Sequence, residues 1–312
     1  MPCRLKKTFL CHTINWTGKS RKKLKNGDDM IKLFTDTSAN LTNEIINLYG
    51  IKVIPFGYSV NGKKIEYNVN SDFDGKYFYD SMRNGADVKT SMINSTLIYE
   101  SLEEELKNGS DVIYITMSGG ISGTAHAAVM AAEELREIYT DRKIAIINSL
   151  AASLGEGLQV IKIAKLLESG ADFETVKEKA EELTEKICQY FTVDDLEYLK
   201  RGGRISRLAS AVGTVLKIKP VLRGDDEGKI VMCAKIRGRN NALSSLADYY
   251  EELCSDKSED IGIAHADDEA DAEYLKELLA EKGFKGNCLT VCYEPVTGAH
   301  VGPGTVALFF FK

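Results

Sequence analysis

The chain has 312 residues, 44% of them hydrophobic and 28% charged, with five prolines and a formal charge of −6. That length suits about two domains, the apolar content excludes global disorder, and no apolar run approaches the ~20 residues that cross a bilayer. The acidic balance makes a poor general nucleic-acid binder, because Lys and Arg on phosphates supply most non-specific affinity.

In chain order, residues 1–29 come first and differ from everything that follows. They hold eight Lys/Arg against Asp28 and Asp29, leaving 32 basic and 44 acidic residues, a net of −12, in 30–312. The segment contains Trp16 and has neither sustained periodicity nor the apolar stretch of about 7–15 residues that marks a secretory signal. A strand begins directly after Met30, so residues 1–29 are expected to be a non-native or disordered extension outside the fold.

From there β-like and helical runs alternate. Strands are predicted over Ile31–Thr35 and Ile51–Val60, the second turned by Asn61-Gly62, with a helix over Leu41–Tyr49 between them. Helices follow over Phe73–Met82 and Thr96–Leu106, the latter behind Asn94-Ser95 as caps. Asp111–Met117 is a compact buried strand, Gly123–Tyr139 an Ala-rich helix, Ile144–Asn148 a strand, and Ser153–Leu167 and Phe173–Lys186 are helices. This alternation predicts a Rossmann-like, mostly parallel sheet with helices on both faces. The second half reads Gln189–Val193 strand, a short helix from Asp194 to Gly202-Gly203, and a helix over Ile205–Lys217 ending before Pro220. Lys229–Ile236 is a strand, Arg239–Cys254 a helix, Ile261–Ala264 a strand and Asp267–Glu281 a helix. Cys288–Tyr293 and Val306–Phe311 are the last strands. The expected division is an α/β unit over 30–187 and a second over 188–312. Seven cysteines, never spaced C-x-x-C, fit a reducing cytoplasm better than a disulfide or zinc framework, and Cys288 and Cys292 read as buried free thiols.

Four segments can carry chemistry. Ser118–Thr124, after the Asp111–Met117 strand, places glycines, Ser122 and Thr124 at a helix N-terminus, which suits a carboxylate or phosphate but equally a tight turn with a Ser/Thr cap. It is not a Walker A loop, G-x-G-x-x-G or G-x-S-x-G. Thr90-Ser91, taken alone, reads as a capping or turn element. Ala299–Gly304 reads as a sharp loop holding His300, whose charge can switch near neutrality. Asp194–Ser206 is a helical turn closed by Gly202-Gly203, or a site where Arg204, with Arg237 as a second guanidinium, meets an anionic group. His126 falls on the Ala-rich helix, and His265 ends a strand without an obvious partner. Scattered histidines and no H-E-x-x-H make a catalytic metal a poor expectation.

Together and in this order, these segments resemble the DegV family of bacterial fatty-acid-binding proteins. The pieces are Thr35-Asp36-Thr37-Ser38, Lys89-Thr90-Ser91, Ile121-Ser122-Gly123-Thr124, the Leu199–Ser206 core, Leu216–Val221, Lys235-Ile236-Arg237 and His300–Gly304. The resemblance runs from Met30 to the C-terminus. It implies two α/β domains with a long-chain fatty acid between them as ligand, no cofactor, and a cytoplasmic, non-catalytic carrier. The carboxylate would be presented to a separate ATP-dependent fatty acid kinase for acyl-phosphate formation. It places the carboxylate ligands on Thr90 or Ser91, on Ser122 with the Gly123 N–H, and on His300, and the kinase-engaging arginines on Arg204 and Arg237. Met92, Ile93, Gly119 and Asn148 depart from the family's common residues. The competing expectation is a small-metabolite transferase or hydrolase with Ser122 as nucleophile and His300 as base.

Overall fold

The computed structural model describes residues 31–65, 73–205 and 218–312. Residues 1–29, and the helix expected over 205–217 beyond Ile205, lie outside the described residues.

The first half runs β1 (Ile31–Asp36), α1 (Asn43–Tyr49), β2 (Lys52–Ile54), β3 (Gly57–Val60), β4 (Lys63–Ile65), α2 (Gly75–Arg83), β5 (Val88–Ser91) and α3 (Ser95–Lys107). It continues with β6 (Asp111–Thr116), α4 (Thr124–Ile138), β7 (Ile144–Asn148), α5 (Leu154–Glu168) and α6 (Phe173–Lys186). The second half runs β8 (Ile187–Thr192), α7 (Glu197–Arg201), β9 (Ile218–Gly224), β10 (Ile230–Arg237), α8 (Arg239–Leu253), β11 (Ile261–His265), α9 (Glu269–Glu281), β12 (Cys288–Cys292), α10 (Pro295–Val301) and β13 (Val306–Phe311).

Strands β2-β1-β6-β7 form an all-parallel sheet. Its central strand is apolar on both faces, as parallel strands covered by helices must be. Val112 and Tyr114 pack with Ile98, Leu102 and Leu135 of α3 and α4, while Ile113 and Ile115 pack with Leu158, Ile161 and Val176 of α5 and α6. The second sheet has the order β10-β9-β8-β13-β11-β12 and is antiparallel except for β11 with β12. Alternate residues of β13 divide between its faces. Leu308 and Phe310 meet Leu246, Tyr250 and Leu275 of α8 and α9, and Ala307, Phe309 and Phe311 meet α5. A small antiparallel sheet, β4-β3-β5, is covered by α2 through an edge-on contact of Phe78 with Tyr58.

Helix α5 therefore serves both large sheets. Every residue from Leu154 to Ile161 is buried, so its first two turns have no solvent face. Gly157 permits this crowding, because a Cβ there would lie 2.5 Å from the Ala39 carbonyl.

Two expectations are corrected. The single strand over Ile51–Val60 is two strands in different sheets, broken at Pro55-Phe56. Pro55 has no N–H to continue a ladder, and Phe56 turns inward to bury. Strand β9 runs through Pro220, where the sequence predicts only the end of a helix. Pro220 pairs with Lys235 of β10, while the β8 pairing begins only at Val221, so β9 outruns β8 where a missing donor costs little.

The polar heart of the fold lies at the carboxyl end of β1. Asp36 accepts N–H bonds from Ser38 (2.8 Å) and Met117 (3.1 Å), tying β1 to the loop that leaves β6. The Ser38 hydroxyl lies 2.5 Å from Asp36 Oδ1 and 2.8 Å from Glu156 Oε2, and Thr35 donates to Glu156 Oε1 at 2.7 Å. A hydroxyl has one proton, so both Ser38 contacts are satisfied only when a carboxyl supplies a second. Burial raises Asp36 to about 6 and Glu156 well above its ordinary value, with the Asp36 charge adding to the latter. Glu156 is thus the protonated partner, donating to Ser38, which donates to Asp36.

The folded state keeps a proton that an unfolded Glu releases near its ordinary pKa of about 4.3. The stabilisation is full below that pH and is lost progressively as pH rises from it towards the raised folded-state value. Glu156→Gln retains both hydrogen bonds without a titrating proton. Its stability relative to wild type is expected to rise by about 1.4 kcal/mol per pH unit while wild type still holds the proton. Urea unfolding from about pH 5 to 8 measures this, and a pH-independent difference would contradict it.

Candidate functional site

The carboxyl ends of parallel strands are where open α/β sheets receive ligands, and the loop from Ser118 to Gly123 lies there. Its backbone donors are mostly occupied. Ser118 N–H donates to the Ala151 carbonyl (2.8 Å), Gly119 N–H to Asn148 Oδ1 (2.9 Å) and Gly120 N–H to Ser118 Oγ (3.1 Å). Ile121 and Ser122 N–H both donate to the Ser118 carbonyl. The Gly123 N–H, exposed at the start of α4, has no partner among the described residues. The Ser122 hydroxyl donates to Thr124 Oγ1 (3.0 Å) and accepts from Thr124 N–H (3.3 Å).

Between this loop and the second sheet lies a cavity of about 760 Å³, counting the space in its open mouth. Phe56, Met117, Val296, Leu199, Phe191 and Phe309 give it apolar walls drawn from both halves of the chain. Thr90, Ser91, Ser122, Arg204 and His300, five of the seven residues expected at the site, also line it. Two contacts fix most of this group. Thr90 Oγ1 and His300 Nε2 are 2.8 Å apart, and Arg204 Nε donates to the Ile121 carbonyl (3.1 Å) beside Ser122. Ser91 presents a hydroxyl with no partner among the described residues.

His300 is held tightly. Gly202, ending α7, lies so close that a Cβ there would sit 2.2 Å from His300 Nδ1. Burial and then the Arg204 charge push the imidazole down to about 4, so the ring is neutral at physiological pH. Arg204 is itself lowered by partial burial, and its guanidinium also reaches the Gly202 carbonyl.

Several local readings are corrected. Thr90-Ser91 is no cap or turn. It ends β5, whose pairing with β3 places Thr90 opposite Tyr58, and Asn94 caps the next helix. His300 is not in a loop but in the last turn of α10, a helix opened by Pro295 and capped by Glu294, which accepts the Val296 and Thr297 N–H bonds. His265 does have a partner, accepting from Asp268 N–H (3.2 Å). Arg237 does not join Arg204 at the cavity. Strand β10 alternates, placing Cys233, Lys235 and Arg237 on the solvent face. Cys288 and Cys292 are free thiols, half-buried, with burial pushing both up to about 11.

The nucleophile–base pair of the enzymatic alternative is not assembled among the described residues, since His300 engages Thr90 and Ser122 engages Thr124. Those residues also contain no group of three or more His, Cys, Asp or Glu placed to hold a metal ion. Tyr293, Thr297 and Gln189 line the cavity and escaped the sequence reading. Gln189 sits in a strand and Tyr293 follows one, with no motif marking either. Thr297 shares a helical face with His300, a signal legible only once Ala299–Gly304 is recognised as helical.

A family model described as DegV family matches residues 30–312. A DegV domain-containing protein of Clostridium perfringens is 37% identical over 279 residues, covering 89% of this chain and 96% of the relative. A fatty acid binding DegV family protein from Streptococcus agalactiae superposes with a TM-score of 0.81 at 30% identity, covering 91% of this chain and 99% of that one. A DegV family protein from Thermus thermophilus, solved for its fatty acid binding, gives a TM-score of 0.82 at 26% identity, with the same coverages.

The half-buried imidazole gives a direct test. The His300 ring is expected to titrate at about pH 4 in NMR spectra, assigned by the resonance lost in His300→Gln. Gly202→Ala, which drives a methyl against Nδ1, is expected to shift that resonance. A His300 inflection near the ordinary value of about 6.5 would mean the ring is solvated.

Proposed function

The chain belongs to the DegV family, and from that premise we propose that it binds a long-chain fatty acid and presents its carboxylate to a separate fatty acid kinase. One observation carries the reading: an apolar cavity whose polar group centres on a half-buried Thr90–His300 pair with a neutral imidazole. In this reading residues 30–187 and 188–312 are the two α/β units, and the acid lies between them in a cytoplasmic carrier.

The energetics suit a lipid acid. Burying an acyl chain returns about 0.8 kcal/mol per methylene, enough for a long chain to outweigh the costs of association. A carboxylate buried without partners would be expensive, so hydroxyl and N–H donors are required at its end. When His300 carries its proton on Nε2, it donates to Thr90 Oγ1 and leaves the Thr90 O–H to donate to the carboxylate. Ser91, Ser122 after rotation away from Thr124, and the Gly123 N–H complete the donor set. Neutral donors leave the carboxylate oxygen nucleophilic towards a phosphoryl donor, whereas a bidentate arginine would hold its electron pairs. Arg204 at the cavity and Arg237 on the solvent face are the proposed contacts to the kinase.

Lipid extraction and mass spectrometry of the purified protein are expected to give a stoichiometric long-chain fatty acid. A tightly bound nucleotide or sugar phosphate would overturn the reading. Thr90→Val is expected to weaken fatty-acid affinity about tenfold, the loss of one hydrogen bond to a charged group. Arg237→Ala is expected to leave that affinity unchanged while impairing acyl-phosphate formation by the cognate kinase. Equal loss of both would argue against a docking role.

A further inference from the structure

Two hydroxyls on the cavity wall remain unused when the carboxylate-binding group is assembled. Tyr293, directly after β12 and only 3% exposed, lines the cavity, and its phenol has no hydrogen-bond partner among the described residues. Thr297, on α10 and 8% exposed, lines it too, and its Oγ1 is buried without a partner. The backbone around them is satisfied. Tyr293 N–H donates to the His265 carbonyl, the Tyr293 carbonyl accepts from Tyr79, and Thr297 N–H donates to Glu294. Only the two side-chain hydroxyls are left over.

Buried tyrosine hydroxyls ordinarily find a partner, and an unpaired hydroxyl in an apolar wall costs stability. A plain hydrocarbon tail offers neither hydroxyl anything. Thr297 stands three residues before His300, so the two share a face of α10 about 4.5 Å apart along its axis. Both residues therefore belong to the cavity wall beside the Thr90–His300 group.

We propose that the cavity is built for an oxygenated long-chain acid, a hydroxy fatty acid whose chain hydroxyl pairs with Tyr293 and Thr297. This rests on the fatty-acid reading above and narrows its ligand class. The chemistry is complementary: the Tyr293 O–H donates to the ligand hydroxyl oxygen, and the ligand O–H donates to Thr297 Oγ1. A site that hydrogen-bonds a ligand hydroxyl discriminates against the analogue lacking it, because its own polar groups are otherwise stranded.

Competition binding to the full chain with stearic acid and a positional series of hydroxystearic acids tests this. At least one isomer is expected to bind about tenfold more tightly than stearic acid. Tyr293→Phe is expected to bring that ratio close to one, and Thr297→Val, which keeps the side-chain shape, to reduce it. The proposal is overturned if no isomer exceeds stearic acid, or if the ratio survives both substitutions. It is also overturned if Tyr293→Phe weakens both acids equally, which would assign the phenol to the carboxylate. Failure of both acids to bind would instead remove the fatty-acid reading itself.

Discussion

The structure depends on one helix whose first two turns have no solvent face and on one carboxyl that it carries inside. Helix α5 packs against the parallel sheet through Leu158 and Ile161, and against the second sheet where Phe309 and the Gly262 backbone press on it. Its first turn brings Glu156 to Thr35 and Ser38, 121 and 118 residues away in sequence. Asp36, at the centre of that cluster, fixes the start of the β6 loop through Met117 N–H. The loop that presents Ser122 is therefore set by the same contacts that join the two sheets. One apolar core runs across both, so neither sheet has a private interior on the face that meets α5.

The site keeps its formal charge to a single guanidinium. Its imidazole is neutral, its other close donors are hydroxyls and a backbone N–H, and its guanidinium is spent partly on the Ile121 and Gly202 carbonyls. A fully charged pocket would gain more from an anion but would pay a larger desolvation penalty when empty. The observed set would instead meet an anion mainly with dipoles, hydroxyl and N–H, beside one guanidinium already engaged by two carbonyls.

Much of this was legible in the sequence because the relevant signals are local. The buried strand at Asp111–Thr116, the alternation of strands and helices, and the caps at Thr42 and Asn94 all follow from hydrophobic period and cap chemistry. What was not legible depends on distant partners. Nothing near Pro220 reveals that β9 outruns β8, and nothing in β5 alone announces that Thr90 will meet an imidazole 210 residues further on. Glu156 left a trace, an acid within an apolar helical turn flanked by glycines. Its meaning required Ser38 to be beside it. Five of the seven expected site residues converge on one cavity, and the one left well outside it, Arg237, is placed by simple strand alternation.

Gly119 and Asn148 are fitted to each other. The Gly119 N–H is bound by Asn148 Oδ1, and a Cβ at 119 would lie 3.2 Å from the Asn148 amide nitrogen. Asn148 also accepts from Leu150 N–H, so the amide ties the β6 loop to the one that follows β7. The β6 loop thus spends all but one of its N–H groups internally, and most of the anion-binding capacity must come from elsewhere. Under the proposed reading it would come from Thr90 on the small sheet and from His300 on α10, a helix of the second half of the chain, which already meet at 2.8 Å. An anion bound here would draw on elements from both halves at once. Occupancy would therefore stabilise their association by mass action, in proportion to how far ligand concentration exceeds the dissociation constant.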